Sequence, residues 1–243
     1  MRALILTDIH SNLEAFRAVL EDATSRGGFD EVWCLGDIVG YGPDPGECIE
    51  LLRRHNHISV VGNHDLAAAG NLSTHDFNSH ARFAVHWTAA QLMPEHTQFL
   101  LSLPEVIRRE EFTLVHGSLR SPVLEYLLST EAAIATFHLL ESHFCLVGHS
   151  HIPFICREKN SLYSFEPFPE GDAVLLGEER LIINPGGVGQ PRDGDPRPSY
   201  ALYDSDEETI RRHRVTYHIE ATQEKMRRAG LPERLIQRLN YGV

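Results

Sequence analysis

The stretch Ala3-Leu4-Ile5-Leu6-Thr7-Asp8-Ile9-His10 decides how the rest of the chain is read. Four apolar residues followed by Asp-x-His predict a buried parallel strand ending in two metal-capable side chains. Residues two apart on an extended backbone point the same way, so Asp8 and His10 are expected to converge. A single Asp-x-His is a common chance tripeptide. Its weight comes from four later apolar runs that also stop at a histidine, aspartate or asparagine. Val32-Trp33-Cys34-Leu35 leads to Gly36-Asp37, and Ile58-Ser59-Val60-Val61 to Gly62-Asn63-His64-Asp65. Phe112-Thr113-Leu114-Val115 leads to His116, and Phe144-Cys145-Leu146-Val147 to Gly148-His149-Ser150-His151.

Helical patterns separate these runs. Leu13, Phe16, Leu20 and Ala23 predict a helix across 11–26, stopped by Gly27-Gly28, with Asn12 as its cap. A Gly/Pro-rich loop (40–45) precedes a short helix over 48–54. A helical excursion is expected from about 66 to 103, covering the site or serving as a partner surface, and a further helix over 131–140. After His151 short β-like runs take over, at 154–156, 173–176, 181–183, 200–203 and 210–217, with a Gly/Pro-rich loop over 184–198. A charged amphipathic tail over 219–239 is broken near Gly230-Leu231-Pro232. No repeat or linker interrupts the 243 residues, so one α/β domain spanning 1–243 is expected.

The hydrophobic fraction of 42% and charged fraction of 23% are ordinary for a globular chain, and no apolar run nears the ~20 residues of a membrane span. With a strand predicted within the first few residues, no signal peptide is expected. The four cysteines show no Cys-x-x-Cys spacing, and Cys34 and Cys145 lie inside apolar runs, so a reduced, cytoplasmic setting is expected. The net charge of −12 disfavours a broad nucleic-acid surface. It allows a small phosphorylated substrate if bound cations reverse the field locally, and it is compatible with a homo-oligomer. Of the fifteen histidines, those at strand ends are informative; His55, His57, His75, His80, His86 and His96 read as surface or helix residues.

A parallel sheet gathers its carboxyl ends at one edge, where α/β sites lie. That would assemble Asp8, His10, Asp37, Asn63, His64, His116, His149 and His151. Carboxylate, imidazole and amide oxygen together suit Mn, Fe, Zn or Ni rather than Ca. Asp37 is the natural bridge, because one carboxylate can hold a cation on each oxygen. Two divalent cations roughly 3.5–4 Å apart polarise a phosphoryl oxygen and generate hydroxide near neutral pH. The pattern therefore points to a two-metal hydrolase.

Motif by motif and in order, Asp8-x-His10, Gly36-Asp37-x-x-Gly40, Gly62-Asn63-His64-Asp65, His116 and Gly148-His149-x-His151 resemble the calcineurin-like metallophosphoesterases. The resemblance runs from the first strand to His151. It implies a four-layer sandwich of two mixed β-sheets flanked by helices, the second sheet coming from the segment after His151. It implies that Asp8, His10, Asp37 and His151 hold one metal, that Asp37, Asn63, His116 and His149 hold the other, and that a hydroxide bridges them. His64 would be the catalytic histidine that contacts the scissile phosphate and protonates the leaving group. Gly40-Tyr41 stands where the phosphoprotein phosphatases of the superfamily carry Asp-Arg, which argues against phosphoprotein substrates. The loop Asn184 to Asp195 is similar to that of the short single-domain branch, described as phosphodiesterase or diadenosine-tetraphosphatase-like, and its glycines can bring N–H groups close to an anion. Arg192 and Tyr41 are the candidate substrate contacts, each weighed against a plain loop role. The expected activity is hydrolysis of small phosphodiesters, with monoesters also in range. The alternatives are a dinucleoside polyphosphate hydrolase, a nuclease (disfavoured by the acidic balance), and a non-catalytic scaffold of the same fold, which would be expected to lack ligands that are all present here.

Overall fold

The opening apolar run is strand β1 (Arg2–Leu6) in a computed structural model that describes residues 1–243. It is followed by α1 (Leu13–Ser25), β2 (Glu31–Cys34), α2 (Pro45–Arg53) and β3 (His57–Ser59). The expected helical excursion resolves into α3 (Asn63–Ala68), α4 (Ser79–Gln91) and α5 (Pro94–Ser102). Next come β4 (Val106–Arg109), β5 (Phe112–Val115), α6 (Thr130–Leu139), β6 (Phe144–Leu146), β7 (Phe154–Lys159) and β8 (Leu162–Pro167). The chain continues through β9 (Ala173–Leu175), β10 (Arg180–Asn184), β11 (Ser199–Asp204) and β12 (Thr209–Arg214). It ends in α7 (Ile219–Arg228), α8 (Glu233–Gln237) and a 3-10 turn at Arg238–Asn240. No helix is long and apolar enough to cross a membrane.

Two mixed six-stranded sheets form, in the orders β3-β2-β1-β11-β12-β9 and β4-β5-β6-β10-β7-β8. Side chains alternate across a strand, so β1 serves two cores at once. Leu4 and Leu6 pack with Phe16, Val19 and Ile49 beneath α1 and α2. Ala3 and Ile5 face the other way and meet Trp33 and, from the second sheet, Phe112, Leu146 and Ile183. On the far side of that second sheet, Val115, Cys145 and Ile182 pack against Ala133 and Phe137 of α6. The layers are therefore helix, sheet, sheet, helix. A strand buried on both faces is apolar along most of its length, which explains the near-continuous apolar runs before each motif. All four cysteines are buried and free.

The site motifs do not gather at one sheet edge. β1, β2 and β3 are parallel in the first sheet, whereas β5 and β6 are parallel in the second. Their carboxyl ends meet where the two sheets face each other. Two edge strands, β4 and β8, are absent from the sequence reading, and the run predicted over 210–217 stops at Arg214. Asn12 caps α1 as expected, accepting from the Ala15 amide at 3.2 Å.

The loop after β10 is tied to the end of β1. The Val188 and Gly189 amides donate to the carbonyls of Thr7 and Asp8 at 3.0 and 2.8 Å, and Asn12 Nδ2 donates to the Gly189 carbonyl at 2.9 Å. A Cβ on Gly189 would stand 1.9 Å from the Ile9 carbonyl oxygen, a backbone atom that cannot swing aside. Gly189→Ala should therefore destabilise the protein by at least the ~1–3 kcal/mol typical of overpacking. A urea unfolding midpoint equal to that of the parent would contradict this.

Candidate metal centre

The loops that follow β1, β2, β3, β5 and β6 bring two groups of ligand-type atoms together, Asp8-His10-His151 and Asp37-His116-His149, all buried. In the first, His151 Nε2 lies 3.2 Å from both Asp8 Oδ1 and His10 Nε2. In the second, His116 Nε2 lies 3.1 Å from His149 Nδ1 and 3.2 Å from Asn63 Oδ1. Asp37 joins them through one atom: Oδ2 is 3.6 Å from His10 Nε2 and 3.4 Å from His116 Nε2. Its other oxygen, Oδ1, accepts the His64 amide at 2.9 Å. Oδ2 is thus the oxygen that faces both groups, and Oδ1 faces the His64 amide.

Backbone carbonyls set the imidazole tautomers. Such an oxygen only accepts, so the ring nitrogen facing it carries the hydrogen and, in the neutral ring, the other presents its lone pair. His10 Nδ1 faces Val39 at 3.1 Å, His116 Nδ1 faces Leu35 at 2.7 Å, and His151 Nδ1 faces Gln190 at 2.5 Å. His149 is turned the other way, with Nε2 at 3.2 Å from the Leu124 carbonyl and Nδ1 facing inward. Asp8 Oδ2 accepts from Thr7 Oγ1 and the His149 amide, while Oδ1 is buried without a hydrogen-bond partner. Lone pairs aimed at one another at hydrogen-bond distance, beside an orphaned carboxylate oxygen, form an environment that divalent cations fit.

The convergence of Asp8 and His10 does not come from extended backbone. Asp8, His10, Asp37, His149 and His151 all have left-handed φ values, between 47° and 63°. Each such residue costs of order 1–3 kcal/mol unless its surroundings over-determine it, and Asp and His tolerate the region better than most. Tight turns, rather than strand periodicity, aim the side chains.

Burial and charge pull the titrations apart. Burial opposes ionisation of Asp8, yet the electrostatic effect of the neighbouring His151, 3.2 Å away, outweighs it and holds the carboxyl below its ordinary range. Asp37 is likewise held low by His116 and His64 against the effect of burial. Burial drives His64 down to about 4 and His149 to about 3, so both rings are uncharged at neutral pH. Asp65, a motif residue given no role by the sequence reading, accepts the Val39 and Gly62 amides at 3.0 Å and braces the turns on either side of the centre. Burial and the Asp37 charge push its carboxyl up to about 7.

Beside the centre, a cleft of about 330 Å³ is lined by Asn63, His64, Phe77, Tyr126 and His149. Phe77, from the segment between α3 and α4, packs on the His64 ring with centroids 5.1 Å apart, so part of the excursion does cover the site. Tyr41 packs on both His10 and His64, and the Arg192 guanidinium lies 5.8 Å from the Tyr41 ring centre. Tyr126 stacks on His149 with centroids 3.9 Å apart. No sequence motif flags Tyr126 or the orienting carbonyls of Leu124 and Gln190.

The chain belongs to the calcineurin-like phosphoesterase superfamily, whose domain model matches residues 1–208. Members use divalent metal ions, and the chain is a metal-dependent hydrolase of phosphoric esters. It is 48% identical to a metallophosphoesterase from Sphaerobacter thermophilus, whose crystal structure superposes with a TM-score of 0.91 over 100% of this chain and 99% of that one. It is 40% identical to an uncharacterized protein of Methanocaldococcus jannaschii over 98% of this chain and 97% of the relative. A shorter similarity, 32% over 68 residues, links 27% of this chain to 25% of a symmetrical bis(5'-nucleosyl)-tetraphosphatase from Haemophilus ducreyi.

His116 is the site imidazole whose partners outweigh burial: Asp37's charge and hydrogen bond raise it to about 9. A histidine raised above its unfolded value of 6.5 stabilises the fold fully below 6.5 and loses that contribution as pH rises through 9. The depressed imidazoles of His10, His64, His149 and His151 act in the other direction and only below 6.5. In chelator-treated protein the urea midpoint should therefore fall between about pH 6.5 and 9, and His116→Gln should flatten that fall. An unchanged slope in the variant would contradict the assignment.

Proposed function

We propose that this chain hydrolyses phosphodiester bonds of small substrates, with two divalent transition-metal ions (Mn, Fe, Zn or Ni) as cofactors. The observation that carries the reading is Asp37 Oδ2, which lies within 3.6 Å of a ligand nitrogen in each of the two groups. On this reading Asp8, His10, Asp37 and His151 hold one ion, and Asp37, Asn63, His116 and His149 the other. The ions supply Lewis acidity toward a phosphoryl oxygen and lower the pKa of water.

The chain's own residues then orient and exclude. His64 borders the cleft, and its ring is neutral at pH 7. A neutral imidazole donates a hydrogen bond to a phosphoryl oxygen more readily than it gives up a proton to a leaving group, so positioning is favoured over general-acid catalysis. Arg192 Nε is buried without a partner, and Nη2 donates to Gln190 Oε1 at 3.1 Å, which leaves the guanidinium able to take a phosphate oxygen. Gly40-Tyr41 supplies no second guanidinium there, so a phosphomonoester dianion gains less than it would from a bidentate clamp of two. The negative net charge and the small cleft disfavour nucleic acid. A second reading, hydrolysis of a dinucleoside polyphosphate, is favoured by the 68-residue similarity to a bis(5'-nucleosyl)-tetraphosphatase.

With each metal in turn, bis(p-nitrophenyl) phosphate should be hydrolysed at least as well as p-nitrophenyl phosphate, and phosphopeptides poorly. His64→Ala should keep its metals and lose ~10²–10³-fold in kcat, as removal of one transition-state hydrogen-bond donor does. The loss should be equal for nitrophenolate and alkoxide leaving groups. A loss that grows with leaving-group pKa would identify His64 as the general acid instead, and efficient phosphopeptide turnover without diesterase activity would overturn the substrate class.

A further inference from the structure

Beside the cleft of the metal centre lies a second cavity of about 540 Å³, and its wall carries Arg192, Arg234 and Arg238 together with Tyr41, Tyr126 and His80. Tyr41 and Tyr126 line both spaces, so the two are adjacent at the tyrosine pair. None of the three arginines is paired with an aspartate or glutamate side chain. Arg192 Nη2 donates to Gln190 Oε1, and Arg238 Nε donates to a main-chain oxygen of Val243, the last residue of the chain. In a chain with 34 acidic and 22 basic residues, a wall of three guanidiniums with no acidic side chain against them runs against the overall charge. Burial, and after it the charges of Arg192 and Arg234 (Tyr41 opposing), push the Arg238 pKa down to about 10, so the clustering is electrostatically unfavourable.

The placement is built into the fold. Arg234 and Arg238 are four residues apart on the last helical turns and so share a face. Leu235, Ile236 and Leu239 anchor those turns against Tyr41, Ala81, Ala84 and Met226, and Leu235 also lines the cavity. Both arginines lie beyond residues 1–208, the part that the family model matches.

We propose that this arginine wall binds a second anionic group of the substrate, so that the enzyme acts on compounds carrying a further phosphoryl group some atoms away from the scissile phosphorus. Guanidinium suits this role because its fork takes two phosphoryl oxygens at once. The inference rests on the phosphoesterase reading for the scissile end only; Arg234 and Arg238 stand apart from the metal ligands, with Arg192 between them and the scissile end.

The test compares two inhibitors of bis(p-nitrophenyl) phosphate hydrolysis by the metal-loaded protein, methylphosphonate and 1,3-propanediphosphonate. The diphosphonate should inhibit with a KI at least about tenfold lower, the gain expected of one or two charged hydrogen bonds. In Arg234→Gln/Arg238→Gln the ratio of the two constants should fall to within about twofold, and in Arg234→Lys/Arg238→Lys it should lie between that value and the parent's, since the charge remains but the fork is lost. A ratio near one in the parent overturns the proposal. So does a ratio that survives the Gln pair, because both phosphonates would then be held at the metals. If the parent hydrolyses no ester, the phosphoesterase reading fails, and the same ratio taken from calorimetric dissociation constants still decides the anion site.

Discussion

Two carboxylates, Asp8 and Asp37, are buried to 0% and 1% exposure within reach of the same imidazoles. Removing an ionised carboxylate from water is expensive unless opposite charge and hydrogen bonds replace its hydration. Three of the four oxygens have such replacements: the Thr7 hydroxyl and His149 amide at Asp8 Oδ2, the His64 amide at Asp37 Oδ1, and His116 beside Asp37 Oδ2. Asp8 Oδ1 has no hydrogen bond. The remaining compensation has to be cationic, and the inward lone pairs of His10, His149 and His151 are consistent with a metal rather than a proton.

Much of the surrounding structure holds that arrangement in place. Parallel strands from two sheets deliver the residues to one seam, and left-handed turns at five of them aim the side chains. Carbonyls of Leu35, Val39, Leu124 and Gln190 then fix the rings. Close backbone packing leaves no room for error: a Cβ on Gly62 would stand 2.1 Å from Asp37 Oδ1, and one on Gly148 would stand 1.9 Å from Thr7 Oγ1. The strain in the turns is sustained by the rigid sheets behind them.

The buried strands were legible because both their faces are covered, which demands unbroken apolar runs such as 3–6 and 144–147. β4 and β8 were not, because they are edge strands: β8 exposes Leu162, Ser164 and Phe165, and β4 ends in Arg108-Arg109. The strand-end motifs pointed to the residues of the centre, yet not to the means of their convergence, since left-handed φ leaves little trace at Asp and His. Tyr126, Arg234 and Arg238 carried no signal at all. Tyr126 reaches the cleft, and Arg234 and Arg238 the cavity beside it, from segments with no motif of their own, through packing that only the folded chain reveals.

The central claim is that Asp37 Oδ2 links two cation sites, and metal content of purified variants tests it most directly. The parent should bind two divalent ions per chain. Asp37→Asn places a neutral amide where Oδ2 faces both groups, so occupancy should fall at both sites, whereas His10→Ala should empty chiefly one. Two full equivalents retained by Asp37→Asn would contradict the bridge.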